Sequence, residues 1–425
     1  MDSAAITTSN LVRRPVQRVP VRLVNAVGRG LGHLGVQGSL LGPDAACREA
    51  ELKTGLDDFG GESFREPLKV LLESTQREAR LHPLGWQFTR TQIIRRLGNR
   101  LELQAYWKRH PEVLETQIVQ PLFIIGLPRT GTTLLFNLLA LDPTYRWMSF
   151  WEAESPVPPT KMTADRRRER ATMPLRMLNW MVPEMRSKHI FAADAPEECG
   201  LLMANTFESE TFSFMTDIPT YRNWLYGRNR VGAYRYYKKQ LQLLQHLRRG
   251  ERWLLKMPFH TFNLDALLTV FPDANIVQIH RDPLKAVPSN CSLQSSYRDL
   301  YNETVDCGQL GKATLEQLGH GLDRCLDVRV HAPAERFYDV QYPTLVEDPI
   351  GVVKGIYRHF GLGITDEVLG LMRGYLANNP KDKHGVHRYS LEAFGLDAEA
   401  VTRRFKRYTG QFRIASESTT PASWA

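Results

Sequence analysis

"PLFIIGLPRTGTTLLFNLLALDP", residues 121–143, reads as a buried strand, a glycine turn and a helix. Gly126 and Gly131 have four residues between them, the spacing of a phosphate-binding loop. A nucleotide triphosphatase carries Lys and then Ser or Thr after the second glycine, whereas this chain has Thr132 and Thr133. Backbone N–H groups around such a turn, at the positive end of a helix, hold an anion without any side chain. Arg129 can add a charged fork and the threonines can add hydroxyl donors. Without the lysine, the loop suits a phosphate that stays in place better than a γ-phosphate with Mg²⁺. The plain structural alternative for this segment alone is a buried glycine turn that caps a helix.

Working outward, further strands alternate with helical patterns. "RWLLKM" (252–257) precedes a helix over 261–271, "NIVQIH" (275–280) precedes a helix over 283–293, and "RFYDVQY" (336–342) precedes a helix over 349–361. Such alternation predicts an α/β fold: a P-loop-like parallel sheet with helices on both faces. About a hundred residues separate the first two core strands, and their pattern predicts a helical insertion at about 145–250, placed to cover a substrate. Helical spacing also runs over 45–115, read as an N-terminal helical region. Residues 1–44 are read as a poorly ordered or extended arm, because six glycines between 21 and 42 weigh against a helix. The run "DRRRER" (165–170) is read as a solvated helix face.

Composition narrows the class. The 425 residues are 42% hydrophobic and 24% charged, with no apolar run of the roughly 20 residues a membrane span needs. The N-terminus lacks a basic stretch followed by an apolar block, so no secretory signal is expected. Five scattered cysteines include no C-x-x-C pair, which points to a reducing cytoplasm and away from a zinc site. The net charge of +9 suits an anionic ligand, and its dispersal along the chain argues against a nucleic-acid binder.

A second anion site is legible in "ANIVQIHRDPLKAVPSN" (274–290). Arg281 follows a strand, at the sheet edge where open α/β folds bind ligands, and Ser289 lies about two helical turns on. A local ion pair of Arg281 with Asp282 is the structural alternative. One loop for a phosphate and an Arg/Ser pair for another, with no triphosphate machinery, suggest a nucleotide phosphorylated at two separate positions.

These segments resemble those of the sulfotransferases that use 3′-phosphoadenosine 5′-phosphosulfate (PAPS), in the bacterial-type branch. "GLPRTGTTLL" resembles the 5′-phosphosulfate loop, which implies cofactor contacts from Arg129, Thr130, Gly131, Thr132 and Thr133. "HRDPLKAVPS" resembles the 3′-phosphate motif, with Arg281 and Ser289 in the binding positions. "DVQYPTLVEDP" resembles the stretch whose tyrosine lies near the adenine, here Tyr342, and "HGVHRYSLEAFGL" (384–396) resembles a C-terminal segment that returns to the cofactor. The likeness spans 121–397 in family order. The cytosolic branch has Lys where this chain has Arg129, and it places its base in Lys-Thr-His. In "LLKMPFH" Lys256 fits that pattern, but His260 sits two residues late.

The resemblance implies in-line sulfuryl transfer from PAPS to a hydroxyl or amine acceptor, with no metal. Lys256 would stabilise the bridging oxygen. His260 is the first candidate for the base, and Glu198 of "DAPEECGLLM" is the second. Structural alternatives are a backbone-bonded histidine and, for Glu197 and Glu198, a charged helix start. Aromatic and Met residues between 147 and 237 suit either an apolar small-molecule acceptor (lipid, sterol or phenol) or plain core, with core favoured. The competing functions are a P-loop small-molecule kinase and a catalytically inactive nucleotide-binding protein.

Overall fold

The structure is a computed structural model and describes residues 11–15, 19–33, 42–159, 164–181, 192–380 and 389–417. Its centre is a five-stranded, all-parallel sheet. Strands β2 (Leu122–Gly126), β3 (Tyr145–Arg146), β4 (Arg252–Lys256), β5 (Asn275–His280) and β7 (Phe337–Gln341) lie in the order β3-β4-β2-β5-β7. β1 (Val12–Arg13) and β6 (Val305–Asp306) form a separate antiparallel pair. The four long strands are those expected from their apolar runs. The two-residue edge strand β3 carries no such signal.

β2 is buried along its whole length because both sheet faces are covered. Alternate residues point to opposite faces. Leu122 and Ile124 pack on one side with Leu135, Leu139, Val353 and Ile356 from the Thr132–Leu139 and Pro349–His359 helices. Phe123 and Ile125 pack on the other side, with Tyr237, Leu241, Leu318 and Leu322 from the Val231–Leu247 and Cys307–His331 helices. β2 pairs with β4 on one side and with β5 on the other, and each neighbour is reached by a crossover. That makes the end of β2 a topological switch point, the position at which open α/β sheets bind ligands.

The helical N-terminal region comprises Pro43–Thr54, Arg65–Glu78 and Pro83–Arg109. It packs with the insertion through a core that joins Leu68, Leu71, Ile93 and Leu97 to Phe207, Tyr221, Tyr297 and Tyr301. The insertion carries six described helices between Phe150 and Leu247. One expectation is corrected: within the arm read as poorly ordered or extended, Val19–His33 is helical. It docks by Val21 and Asn25 on the start of the Pro83–Arg109 helix, where the Asn25 side-chain oxygen accepts from Leu84 N at 3.0 Å. Tertiary support there outweighs the glycines' helix propensity. No helix among the described residues is long and apolar enough to cross a membrane.

Candidate functional site

The loop after β2 is shaped by two glycines. Gly126 has φ +136°, and a Cβ there would lie 2.4 Å from the Ile279 carbonyl oxygen on β5. Its N–H donates to Thr261 Oγ1 at 2.9 Å. Gly131 has φ +86°, and a Cβ would press on Leu345 and the Tyr342 ring at 3.1–3.2 Å. Between them Arg129 holds a left-handed conformation, φ +69°, a costly backbone for a side-chain-bearing residue. The Thr130 hydroxyl turns inward and donates to Leu127 O at 2.8 Å, so it braces the loop. Thr132 is buried at the start of the following helix, while Thr133 is exposed.

The structure brings the second motif to the same place. Arg281 Nη1 donates to the Arg129 carbonyl at 2.7 Å, and Arg129 Nε donates to the Ser289 hydroxyl at 3.2 Å. The Arg281 guanidinium stacks on the Tyr342 ring, 3.9 Å from its centroid. Arg129, Arg281, Ser289 and Tyr342 thus form one cluster against the glycine loop after β2. Sequence reasoning missed the group that holds Arg281. Both Glu417 oxygens accept from it, at 2.9 and 3.1 Å, and Glu417 N donates to Asp282 at 2.8 Å. A lone Glu near the C-terminus carries no local signal. Of the C-terminal segment expected to return to the cofactor, residues 384–388 lie outside the described residues.

Lys256 ends β4, its ammonium almost wholly buried. It donates to Thr133 Oγ1 at 3.3 Å and forms a short ion pair with Glu198. Cys199 N donates to the Lys256 carbonyl at 3.1 Å, which pins the glutamate segment to the strand end. Beside it, Glu197 is pushed up to about 7 by burial, reinforced by the neighbouring Glu198 charge. Glu198 N donates to the Glu197 carboxylate at 2.8 Å.

His260, the first candidate for the base, is placed elsewhere. Its ring is fully buried, T-shaped against Phe123 at 5.3 Å, with Nδ1 2.7 Å from the Tyr234 hydroxyl. Burial, with the Arg230 charge adding to it, pushes its pKa down to about 3, so it stays a neutral core residue. In the turn that follows β4, Phe259 faces the cavity and His260 faces the core.

One cavity of about 710 Å³ joins these groups. Arg129, Thr133, Glu197, Glu198, Arg281 and Tyr342 line part of it, and most of the remaining wall is apolar, including Phe88, Met177, Leu201, Phe214 and Phe259. The aromatic and Met residues of the insertion therefore divide between core and cavity wall. Arg95, Arg96 and Glu154, which no motif flagged, also line it as an ion-paired triad. Burial alone would raise the Glu154 carboxyl, but Arg96 and Arg95 outweigh it and hold it below the usual range.

Comparison with known proteins places this geometry in context. The chain is 29% identical over 322 residues to the omega-hydroxy-beta-dihydromenaquinone-9 sulfotransferase Stf3 of Mycobacterium tuberculosis, covering 70% of this chain and 77% of that protein. Among solved structures it matches sulfotransferase STF9 from Mycobacterium avium with a TM-score of 0.81 and 32% identity, over 88% of this chain and 97% of that one. It matches sulfotransferase STF1 from Mycobacterium tuberculosis H37Rv with a TM-score of 0.73 and 33% identity, over 87% and 99%. The sulfotransferase family model matches residues 121–366, and with it the chain belongs to the sulfotransferase family.

Proposed function

We propose that this protein transfers a sulfuryl group from PAPS to a hydroxyl on an apolar, lipid-like acceptor. The observation that carries the reading is the position of Lys256. One ammonium touches Thr133 at the phosphate loop and Glu198 in the cavity wall, and so links a donor side to an acceptor side. Two features of the chain fit the donor. The loop turns through positive φ at Gly126, Arg129 and Gly131 into the N-terminus of the Thr132–Leu139 helix, the form of a backbone cradle for a phosphate. Arg281 already holds an anion, the Glu417 carboxylate, where a 3′-phosphate would be gripped.

PAPS supplies an activated sulfuryl group on its 5′-phosphate. Lys256 stabilises negative charge on the departing phosphate oxygen, with Thr133 beside it. Glu198 replaces His260 as the base, and accepts the hydroxyl proton as the acceptor oxygen bonds to sulfur. Orientation in the cavity contributes the rest, with no metal needed. The apolar wall fits a hydroxylated chain or ring, as the name of the Mycobacterium relative indicates for that protein. All five cysteines are unpaired and buried, in keeping with a reducing cytoplasm.

The test combines binding and turnover. Adenosine 3′,5′-bisphosphate at about a hundredfold excess over its Kd is expected to raise the Tm by roughly 1–4 °C. ATP with Mg²⁺ should do so far less. Incubation with PAPS should then sulfate long-chain primary alcohols in preference to short polar ones. A larger shift with ATP–Mg²⁺, and phosphorylated rather than sulfated product, would transfer the assignment to a kinase.

A further inference from the structure

Two helices near the cavity carry apolar faces that the other described residues leave exposed. On the Val19–His33 helix, Val21, Asn25 and Gly28 face the protein. Val19, Leu23 and Val27, at i, i+4 and i+8, form a separate stripe that is 65%, 61% and 64% exposed, with Val24 next to it. Arg22 and Arg29 edge this stripe, and the helix contains no acidic residue. Arg29 makes only a 3.9 Å contact to Glu303. The second helix, Arg167–Met181, exposes Met173 and Met177 at 68% and 46%, and carries four arginines against one glutamate; Arg167 pairs with Asp165 and Arg168 with Asp194, so the charge for a headgroup comes from Arg170 and Arg176.

The Arg167–Met181 face lines the cavity directly, and the Val19–His33 helix packs on a helix that lines it. Met173 and Met177 line the cavity and reach solvent as well. The Val19–His33 helix docks at Pro83 and Leu84, and one turn further along that partner helix the exposed Gln87 and the half-buried Phe88 line the same cavity. Isolated exposed apolar residues are ordinary, but two apolar stripes at one apolar cavity are not. Their combination with arginines and scarce acids is the signature of helices that lie in the interface of an anionic membrane. There apolar side chains enter the acyl boundary and arginines reach the headgroups.

We propose that the protein docks on an anionic phospholipid bilayer through the exposed faces of the Val19–His33 and Arg167–Met181 helices, with the cavity rim against the lipid. The surface stands on its own residues, whatever the acceptor proves to be. In this orientation a lipid-like molecule passes from bilayer to cavity without its apolar part crossing water, so the barrier of apolar hydration is avoided. Charge complementarity selects the bilayer over a second copy of this chain, because a self-contact would bring arginine-edged faces together.

The full chain is mixed with vesicles of phosphatidylcholine alone and of phosphatidylcholine with phosphatidylglycerol, with no acceptor present, and the bound fraction is read by sedimentation. Binding is expected on the anionic vesicles and should weaken when salt is raised from 0.1 to about 0.5 M. The double variant Leu23→Glu/Val27→Glu should bind more than about tenfold more weakly. Arg22→Gln and Arg29→Gln should each cost about fivefold on anionic vesicles alone. Each variant is checked for an unchanged Tm and an unchanged bisphosphate-induced shift, which separates loss of docking from loss of fold or of donor binding. Absence of vesicle binding by the natural protein, or equal binding by the Leu23/Val27 variant, would overturn the proposal. So would light scattering that shows a concentration-dependent dimer abolished by that variant, since the stripe would then be a self-interface.

Discussion

Lys256 is held between Thr133 and Glu198, two residues that do different work, and its burial makes both contacts matter. Replacing Glu198 with Gln keeps the shape, removes the basicity and leaves Lys256 without its counter-ion. The expected result is a kcat lowered by about 10²–10⁴ with bisphosphate affinity within a few-fold of the natural protein. Steady-state turnover alongside calorimetric titration measures both. Glu197 gives a pH signature at the same spot. Its pKa is raised in the folded state from 4.5 to about 7, so between these values the folded chain keeps a proton that the unfolded chain has lost. Its stabilising contribution is therefore complete below about pH 4.5 and is lost as pH rises through about 7. Relative to Glu197→Gln, the natural protein should lose Tm between pH 5 and 8. Parallel Tm–pH curves for the two would mean that the carboxyl is not shifted.

At the scale of the element, the turn after β4 decides which side chains reach the site. Pro258–Asn263 is a short 3-10 segment whose residues are all buried. Thr261 ties it to the phosphate loop at Gly126, Phe259 lines the cavity, and His260 is left in the core with Tyr234 and Phe123. His260→Ala should therefore act on stability. It opens a core cavity and strands the Tyr234 hydroxyl, with an expected cost of about 2–4 kcal/mol. Thermal or urea unfolding should show this loss, while kcat per folded molecule stays within about threefold. A collapse of kcat in a fully folded His260→Ala variant would restore the histidine as base. The same logic explains Ser289, whose hydroxyl reaches the site only through Arg129.

Across the whole molecule, the last described residues close back on the centre of the sheet. Glu417 reaches Arg281, 136 positions earlier in the chain, and forms a two-oxygen ion pair stacked over Tyr342. On the proposed function, a donor nucleotide would have to share or displace this carboxylate to use the Arg281 fork. Glu417→Gln should accordingly tighten adenosine 3′,5′-bisphosphate by up to about fivefold, the worth of a partly exposed pair. Adenosine 5′-phosphosulfate, which lacks the 3′-phosphate, should be unaffected. Calorimetric Kd values for the two ligands test this, and weaker bisphosphate binding in the variant would show that Glu417 positions Arg281 instead of competing for it.

Sequence alone determined the parallel sheet, its four long strands and the glycine turn after β2. These follow from short-range rules: continuous apolar runs mark strands buried on both faces, and two glycines permit a turn that no other residue can make at Gly126. The approach of Arg281 and Ser289 to the loop of Arg129 was legible for the same reason, since each sits at the end of a core strand or in the segment that follows it, whereas Tyr342 was placed by the family resemblance. The tertiary structure alone decided the rest. Glu198 meets Lys256 across 58 positions, and Glu417 meets Arg281 across 136, because of how the insertion and the C-terminal segment fold over the sheet. The direction of His260 and the helicity of Val19–His33 were likewise set by packing partners distant in the chain. Local preference is worth a few tenths of a kcal/mol per residue, whereas burial of one large apolar side chain or ring is worth about 1.5–3 kcal/mol, so packing overrides it wherever the two disagree.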